Sequence, residues 1–217
     1  MISVVGFGSL LSERSARDTV PGLKNYRLVR VEGYRRIFNK VGILFIAGHG
    51  QSAESLEVSS CSTEPCDRTS IVVAQFDCPV DQFSELYERE HRYRWVEVYP
   101  VGLDGSPQPA ARMCTGYSDL DYRLNKCITE EEYHDRVGRH YQGRIWRDDI
   151  LPFPRYLKFC LVSAASHGDE VLENFLDTSF LADGQTSIRD YLVERSDLIP
   201  SSLREGRAFT QGSQSRK

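Results

Sequence analysis

The sequence predicts an α+β domain, with strands in the first half of the chain and helices in the last third. Two observations carry this prediction. Short apolar or alternating runs, separated by Gly, Pro and small polar residues, recur from Ile2 to Tyr117. Beyond Thr129 the apolar residues recur at helical spacing instead. The 217 residues, 40% hydrophobic and 27% charged, suit one globular domain with an ordinary core.

The elements follow in order. Ile2 to Phe7 is a buried first strand, and Gly8-Ser9-Leu10 turns out of it. Tyr26 to Val31 alternates and reads as a second strand, followed by Gly33-Tyr34-Arg35-Arg36-Ile37-Phe38. The apolar run Ile43 to Ala47 reads as a third strand. From Gly48 to Arg68 the composition shifts to Ser, Glu, Gly, Thr and Pro, which predicts an exposed loop insertion over 48–68. Ser70 to Asp77 resumes strand character, and Pro79 to about His91 reads as a helix. Trp95 to Val101 and Ala110 to Tyr117 are two more strands around a turn at Asp104 to Pro109. Thr129-Glu-Glu-Glu132 is a capping box, and Tyr133, Val137, Tyr141 and Ile145 continue it at helical spacing. Pro152 and Pro154 break the chain before the apolar stretch Tyr156 to Ala165. Asp169 and Ser187 cap two further helices. The domain is expected over 1–195, with a flexible tail over 196–217.

Bulk properties exclude several classes of function. A net charge of -4 argues against nucleic acid as a partner. No apolar run approaches the roughly 20 residues needed to cross a bilayer, so no membrane is expected. The apolar start, Met1 to Leu11, lacks a basic lead and a cleavage pattern, so a first strand is expected there and not a signal peptide. Six cysteines without a secretory signal predict reduced thiols and a cytoplasmic setting. Cys61 and Cys66 read as free thiols in the loop, with a disulfide or metal clip as the alternative. No His or Cys spacing makes a metal site, and no cofactor motif is present. The partner expected is a small molecule, and the residues do not speak to oligomeric state.

Two places carry candidate chemistry. The first is Gly6-Phe7-Gly8-Ser9-Leu10, where two glycines let the backbone turn tightly and offer N–H groups to a carboxylate or an oxyanion. The same residues also suit a plain turn after a strand. The second is Glu90. Phe83, Leu86, Tyr87 and Glu90 fall at i, i+3, i+4 and i+7, which puts a carboxylate on the apolar face of its helix. Burial there would raise its pKa toward the range of a general base. The alternative is an ion pair with Arg92 or Arg94 beyond a helix already ended. His91, off the apolar stripe, reads as solvated or as support for the site.

Together these segments resemble the gamma-glutamylcyclotransferase superfamily, in which a Tyr-Gly-Ser-Leu or Tyr-Gly-Ser-Asn loop follows the first strand and a catalytic Glu ends a later helix. The matching residues are Phe7-Gly8-Ser9-Leu10 and Leu86-Tyr-Glu-Arg89-Glu90-His-Arg-Tyr93, the latter leading into Trp95-Val-Glu-Val98. Arg89-Glu90, Val4-Val-Gly-Phe-Gly-Ser-Leu10 and Gly33-Tyr34-Arg35-Arg36-Ile37-Phe38 look most like the ChaC-type, AIG2-like branch. The resemblance covers Met1 to about Val98, and Phe7 departs from the family's Tyr, leaving any role of that hydroxyl to another group.

The resemblance implies a mixed β-barrel with surrounding helices and a helical C-terminal part. It implies cyclisation of a gamma-glutamyl amide, glutathione first, to 5-oxoproline with release of an amine, and needs no cofactor or metal. Glu90 would be the catalytic residue, and Phe7, Gly8, Ser9 and Leu10 would hold substrate. Tyr34, Arg35 and Arg36 are further pocket candidates, Tyr34 and Arg35 being expected to bind substrate, since a guanidinium grips a carboxylate with two bonds; the alternative is plain strand residues with solvated Arg heads. A different class of function, a non-catalytic module that binds a small ligand or a protein, fits the same residues, since a fold does not determine a function.

Overall fold

A computed structural model of the chain describes residues 1–204 and Phe209. The chain opens with β1 (Ile2–Gly6), α1 (Glu13–Thr19), β2 (Lys24–Val41), α2 (Ile43–His49), β3 (Glu57–Cys78) and α3 (Val80–Arg89). It continues through β4 (Arg94–Val98), β5 (Val101–Gly102), β6 (Ala111–Thr115), α4 (Asp119–Lys126) and α5 (Glu130–Tyr133). It then runs through β7 (Leu151–Pro152), α6 (Pro154–Ala165), α7 (Asp169–Thr178), β8 (Ser179–Leu181) and α8 (Ile188–Glu194). This is the α+β order that the patterning predicts.

One mixed sheet organises the molecule, in the order β4-β6-β1-β3-β2-β5. β2 and β3 form a long antiparallel hairpin. Each long strand changes partner along its length. β3 pairs with β7 near its start and with β1 near its end. β2 pairs with β5 near its start and with β8 near its end. The pairing slips at Gly33, whose φ of +76° suits only a glycine comfortably. There Glu32 pairs with Ser70 but Tyr34 with Pro65, and residues 66–69 bulge out. Such bulges bend a strand, and the sheet curls into a half-barrel. The main core lies where this sheet meets α6, α7 and α8, and a second cluster of Val4, Leu10, Ala16, Phe76 and Leu86 lies under α1 and α3.

Five expectations need correction, the smallest concerning Asp169, which is the first residue of α7, behind Gly168, and not its cap. The run Ile43 to Ala47 is helix α2, not a strand. A short apolar run fits both, and here Gly50 closes a helix in the left-handed region at φ +71°. Residues 57–68 are strand, not an exposed loop, leaving only 50–56 between α2 and β3. Ser59, Ser60, Cys61, Ser62 and Thr63 are all buried, and carbonyls accept the hydroxyls of Ser60, Ser62 and Thr63. Ser60 Oγ donates to Lys40 O at 3.1 Å and Thr63 Oγ1 to Cys114 O at 2.7 Å. The helix begun by Thr129 closes after a widened turn at His134–Gly138, short of Ile145. Asp119 draws the chain away by accepting from Ile145 N at 2.6 Å and Trp146 N at 3.2 Å. Finally, Ser196–Leu198 and Ser201–Leu203 form turns, and Leu198 is buried in the main core, so the ordered body passes 195. The rest of the expected tail, Phe209 apart, lies outside the described residues.

All six cysteines are unpaired. Among the described residues, no helix is long and apolar enough to cross a membrane, and no group of three His, Cys, Asp or Glu side chains is placed to hold a metal ion.

Candidate active site

The site starts where β1 ends. Gly6 must lack a side chain, because a Cβ there would collide with the Cβ of Leu10. The chain then closes on itself, with Leu11 N donating to Gly8 O at 3.0 Å and Ser12 N to Ser9 O at 3.2 Å. Ser12 caps α1 by accepting from Ser15 N. From behind, Arg36 Nε donates to Phe7 O at 2.9 Å, and a second arm of the guanidinium reaches Val72 O. The loop is therefore held from both sides.

Glu90 arrives from α3. Its N–H still donates to Leu86 O at 3.0 Å, so it stands one turn beyond the fully buried Leu86. Tyr93 N then donates to Glu90 O and turns the chain into β4. The Glu90 side chain keeps 18% of its exposure, and burial pushes its carboxyl above the ordinary carboxylate range. Arg89, Lys40 and Arg92 pull the other way without cancelling that effect. The ion pair it makes is with Arg89, Nε to Oε1 at 3.3 Å. Arg94 instead faces Asp121, and Arg92 donates to Arg136 O. Arg89 also donates to Ser9 Oγ at 3.4 Å and to Thr19, tying the loop and α1 to the carboxylate.

Glu90 sits at the junction of two cavities. The first is lined by residues 4–10 with Cys61, Trp95 and Cys114. The second, the roomier of the two, is lined by Lys40, Ser60, Arg89 and Arg92 and by the start of α2. Ser9, Glu90, Tyr93 and Tyr156 border both. The structure thus brings Phe7, Gly8, Ser9, Leu10 and Glu90 together. It does not bring Tyr34 or Arg35 to them. Tyr34 packs half-buried against the core, and Arg35 bonds Glu64 at 2.7 Å and Gly184 O at 2.8 Å. Alternation along β2 sends Arg35 and Arg36 to opposite faces, and Arg36 supports the loop without lining either cavity.

Sequence reasoning missed Lys40 and Tyr156. Lys40, on β2, is 6% exposed, and burial pulls its ammonium down to about 7. It lies over the Tyr93 ring, 4.6 Å from the centroid. Tyr156, on α6, fills the space over Gly8, where a Cβ would collide with its hydroxyl. That hydroxyl stands at the loop where Phe7 has none. Phe7 itself packs edge-on against Tyr93, with centroids 6.5 Å apart. No local pattern marks Lys40 or Tyr156, because each reaches the site through strand pairing or helix packing.

The Gly8–Tyr156 contact gives a direct test. Gly8→Ala should cost about 1–3 kcal/mol through overpacking. Tyr156→Phe removes the colliding oxygen and leaves the ring carbon at an ordinary 3.6 Å. In a double-mutant cycle of thermal stability, Gly8→Ala should therefore be far milder in the Tyr156→Phe background. Strictly additive effects would refute the contact.

His91 is buried, not solvated, at 6% exposure, because the chain has left the helix by that residue and the helical spacing no longer places it. Its Nδ1 lies 3.2 Å from the Tyr122 hydroxyl. Burial, helped by the charge of Arg136, lowers its pKa from 6.5 to about 4. Between those values the unfolded chain binds a proton that the native state refuses, so stability should fall as pH drops from 6.5 toward 4. Denaturant midpoints across that window should fall less steeply in His91→Phe, and parallel profiles would show that another group is responsible.

No family model and no curated protein matches the sequence. Solved structures do match in fold. One is an uncharacterised protein from Homo sapiens, 12% identical with a TM-score of 0.52, covering 77% of this chain and 80% of that one. Another is a gamma-glutamyl cyclotransferase, also 12% identical with a TM-score of 0.53, covering 80% of this chain and 83% of that one. At such identity the likeness is one of fold. The chain has the gamma-glutamylcyclotransferase-like fold, as the resemblance of its motifs implies.

Proposed function

We propose that this chain is a gamma-glutamylcyclotransferase of the ChaC-like branch, with glutathione as the first substrate to test. The observation that carries the reading is Glu90, a carboxylate held above its ordinary pKa beside the Phe7–Leu10 loop, at the junction of two cavities. The substrate's own α-amine is the nucleophile, and Glu90 takes its proton as the nitrogen attacks the γ-carbonyl carbon. Backbone N–H groups of the Gly8-Ser9-Leu10 loop stabilise the oxyanion that forms. The γ-amide C–N bond then breaks, Glu90 returns the proton to the leaving nitrogen, and 5-oxoproline and an amine depart. Because nucleophile and electrophile share one molecule, the protein need only hold them in ring-closing geometry. Six unpaired thiols are in keeping with a reducing compartment such as the cytosol.

The test is release of 5-oxoproline from glutathione and a panel of gamma-glutamyl amino acids, with Glu90→Gln as the control. Turnover that disappears in the variant supports the reading. Saturable binding without 5-oxoproline would replace it with a non-catalytic binding module.

A further inference from the structure

The second cavity has a character that the cyclisation chemistry does not require. Three cations, Lys40, Arg89 and Arg92, line it against the single carboxylate of Glu90. Arg89 is already engaged by Glu90, Ser9 and Thr19. The other two are not fully satisfied. Among the described residues, the Lys40 ammonium forms no hydrogen bond or ion pair, and its close partner is the face of Tyr93. The Nε of Arg92 is buried with no acceptor. Three cations share the one carboxylate of Glu90, which Arg89 already pairs; a buried cation with so little counter-charge is costly, and a buried donor without an acceptor is rare in folded proteins. Across from these groups, Ile43, Leu44 and Phe45 of α2 supply an apolar wall. The cavity is thus shaped for an anion joined to a short hydrocarbon.

Its position says which part of the substrate that anion belongs to. With the γ-carbonyl oxygen on the loop N–H groups, as proposed above, the glutamyl group falls in the first cavity and the leaving amine extends past Glu90 on the other side. The second cavity continues from Glu90 in that direction, sharing Ser9, Tyr93 and Tyr156 with the first. We propose that this chamber binds the carboxylate of the leaving amine, with Lys40 as the principal specificity-determining residue and Arg92 beside it. The substrate class is then gamma-glutamyl amino acids and short gamma-glutamyl peptides, not gamma-glutamylamines. This inference rests on the cyclotransferase reading and narrows it.

Two substrates that differ only in the carboxylate test it: gamma-glutamyl-L-alanine and gamma-glutamyl-ethylamide. For the natural chain, KM should be lower for the alanine compound by about tenfold or more, the worth of a charge-assisted bond. Lys40→Met should narrow that ratio to about twofold, chiefly by raising KM for the alanine compound, and Lys40→Arg should restore part of it. Release of 5-oxoproline from both compounds with equal KM would overturn the subsite and leave the cyclotransferase reading standing. So would a Lys40→Met variant that raises KM equally for both compounds, since Lys40 would then hold the glutamyl part. A loss confined to kcat for both compounds would also overturn it, by assigning Lys40 to proton transfer. No 5-oxoproline from either compound, nor from glutathione, in a folded sample would remove the underlying reading and the subsite with it.

Discussion

Glu90→Gln is expected to lower kcat for 5-oxoproline release by about 10²–10⁴-fold, the usual contribution of a positioned general base. The substitution keeps the size of the side chain and removes only the group that accepts a proton. An α-amine is an ammonium at neutral pH and has no lone pair to attack with until its proton is taken. Among the described residues no second carboxylate borders either cavity, so none of them stands ready to replace Glu90. Stability should move little, because burial already disfavours the charged carboxylate while its loss takes the counter-charge from Arg89 and Lys40, and the two effects oppose. Near-ultraviolet circular dichroism and a denaturant midpoint should therefore match the natural chain while turnover is lost. Undiminished turnover in a folded variant would remove Glu90 from the chemistry.

Arg36→Met is the second large effect, and it reaches the site from behind. The Arg36 side chain is fully buried. It donates to Phe7 O at 2.9 Å, to Val72 O, and to Thr178 Oγ1 at 3.2 Å, and it lies over the Phe175 ring at 5.0 Å. Burial lowers its pKa only to about 10, so it stays charged at neutral pH. Methionine fills part of the space and leaves those acceptors without their donor. The net cost should be on the order of 2–4 kcal/mol, since relief of a buried charge offsets part of the lost bonding. For a chain of this size that is a fall in Tm of roughly 10 °C. The loop should also lose its rear support at Phe7, so kcat/KM should fall in the fraction that remains folded. A variant with unchanged Tm and kcat/KM would show that the loop holds its own shape.

The site was only partly legible in the sequence. Gly6-Phe7-Gly8-Ser9-Leu10 and the spacing from Phe83 to Glu90 are local signals, because a tight turn and a helical face are each decided within a few residues. Tyr34 and Arg35 were misplaced because a strand's inward face depends on register, and the slip at Gly33 is a property of two strands together. The solvated reading of His91 failed for a related reason, since helical geometry was extended one residue past the point where the chain turns away. Lys40 and Tyr156 gave no signal, as they come from β2 and α6 and meet Glu90 and Gly8 only in three dimensions.

The same division runs through the fold. The chain's patterning by itself determined the α+β order, the first strand and its glycine turn, helix α3 with its terminal carboxylate, and the caps at Thr129 and Ser187. These depend on periodicity and on side chains bonding their own backbone. Only the tertiary structure decided that the Ser- and Thr-rich stretch 57–68 is a strand whose first half is buried, since the Ser60 and Thr63 hydroxyls find their acceptors on the distant carbonyls of Lys40 and Cys114. It alone decided that Ile43 to His49 is a helix, and that Lys40 and Arg92 converge on the far side of Glu90. Burial and electrostatic environment belong to the packed molecule, and no short window of sequence contains them.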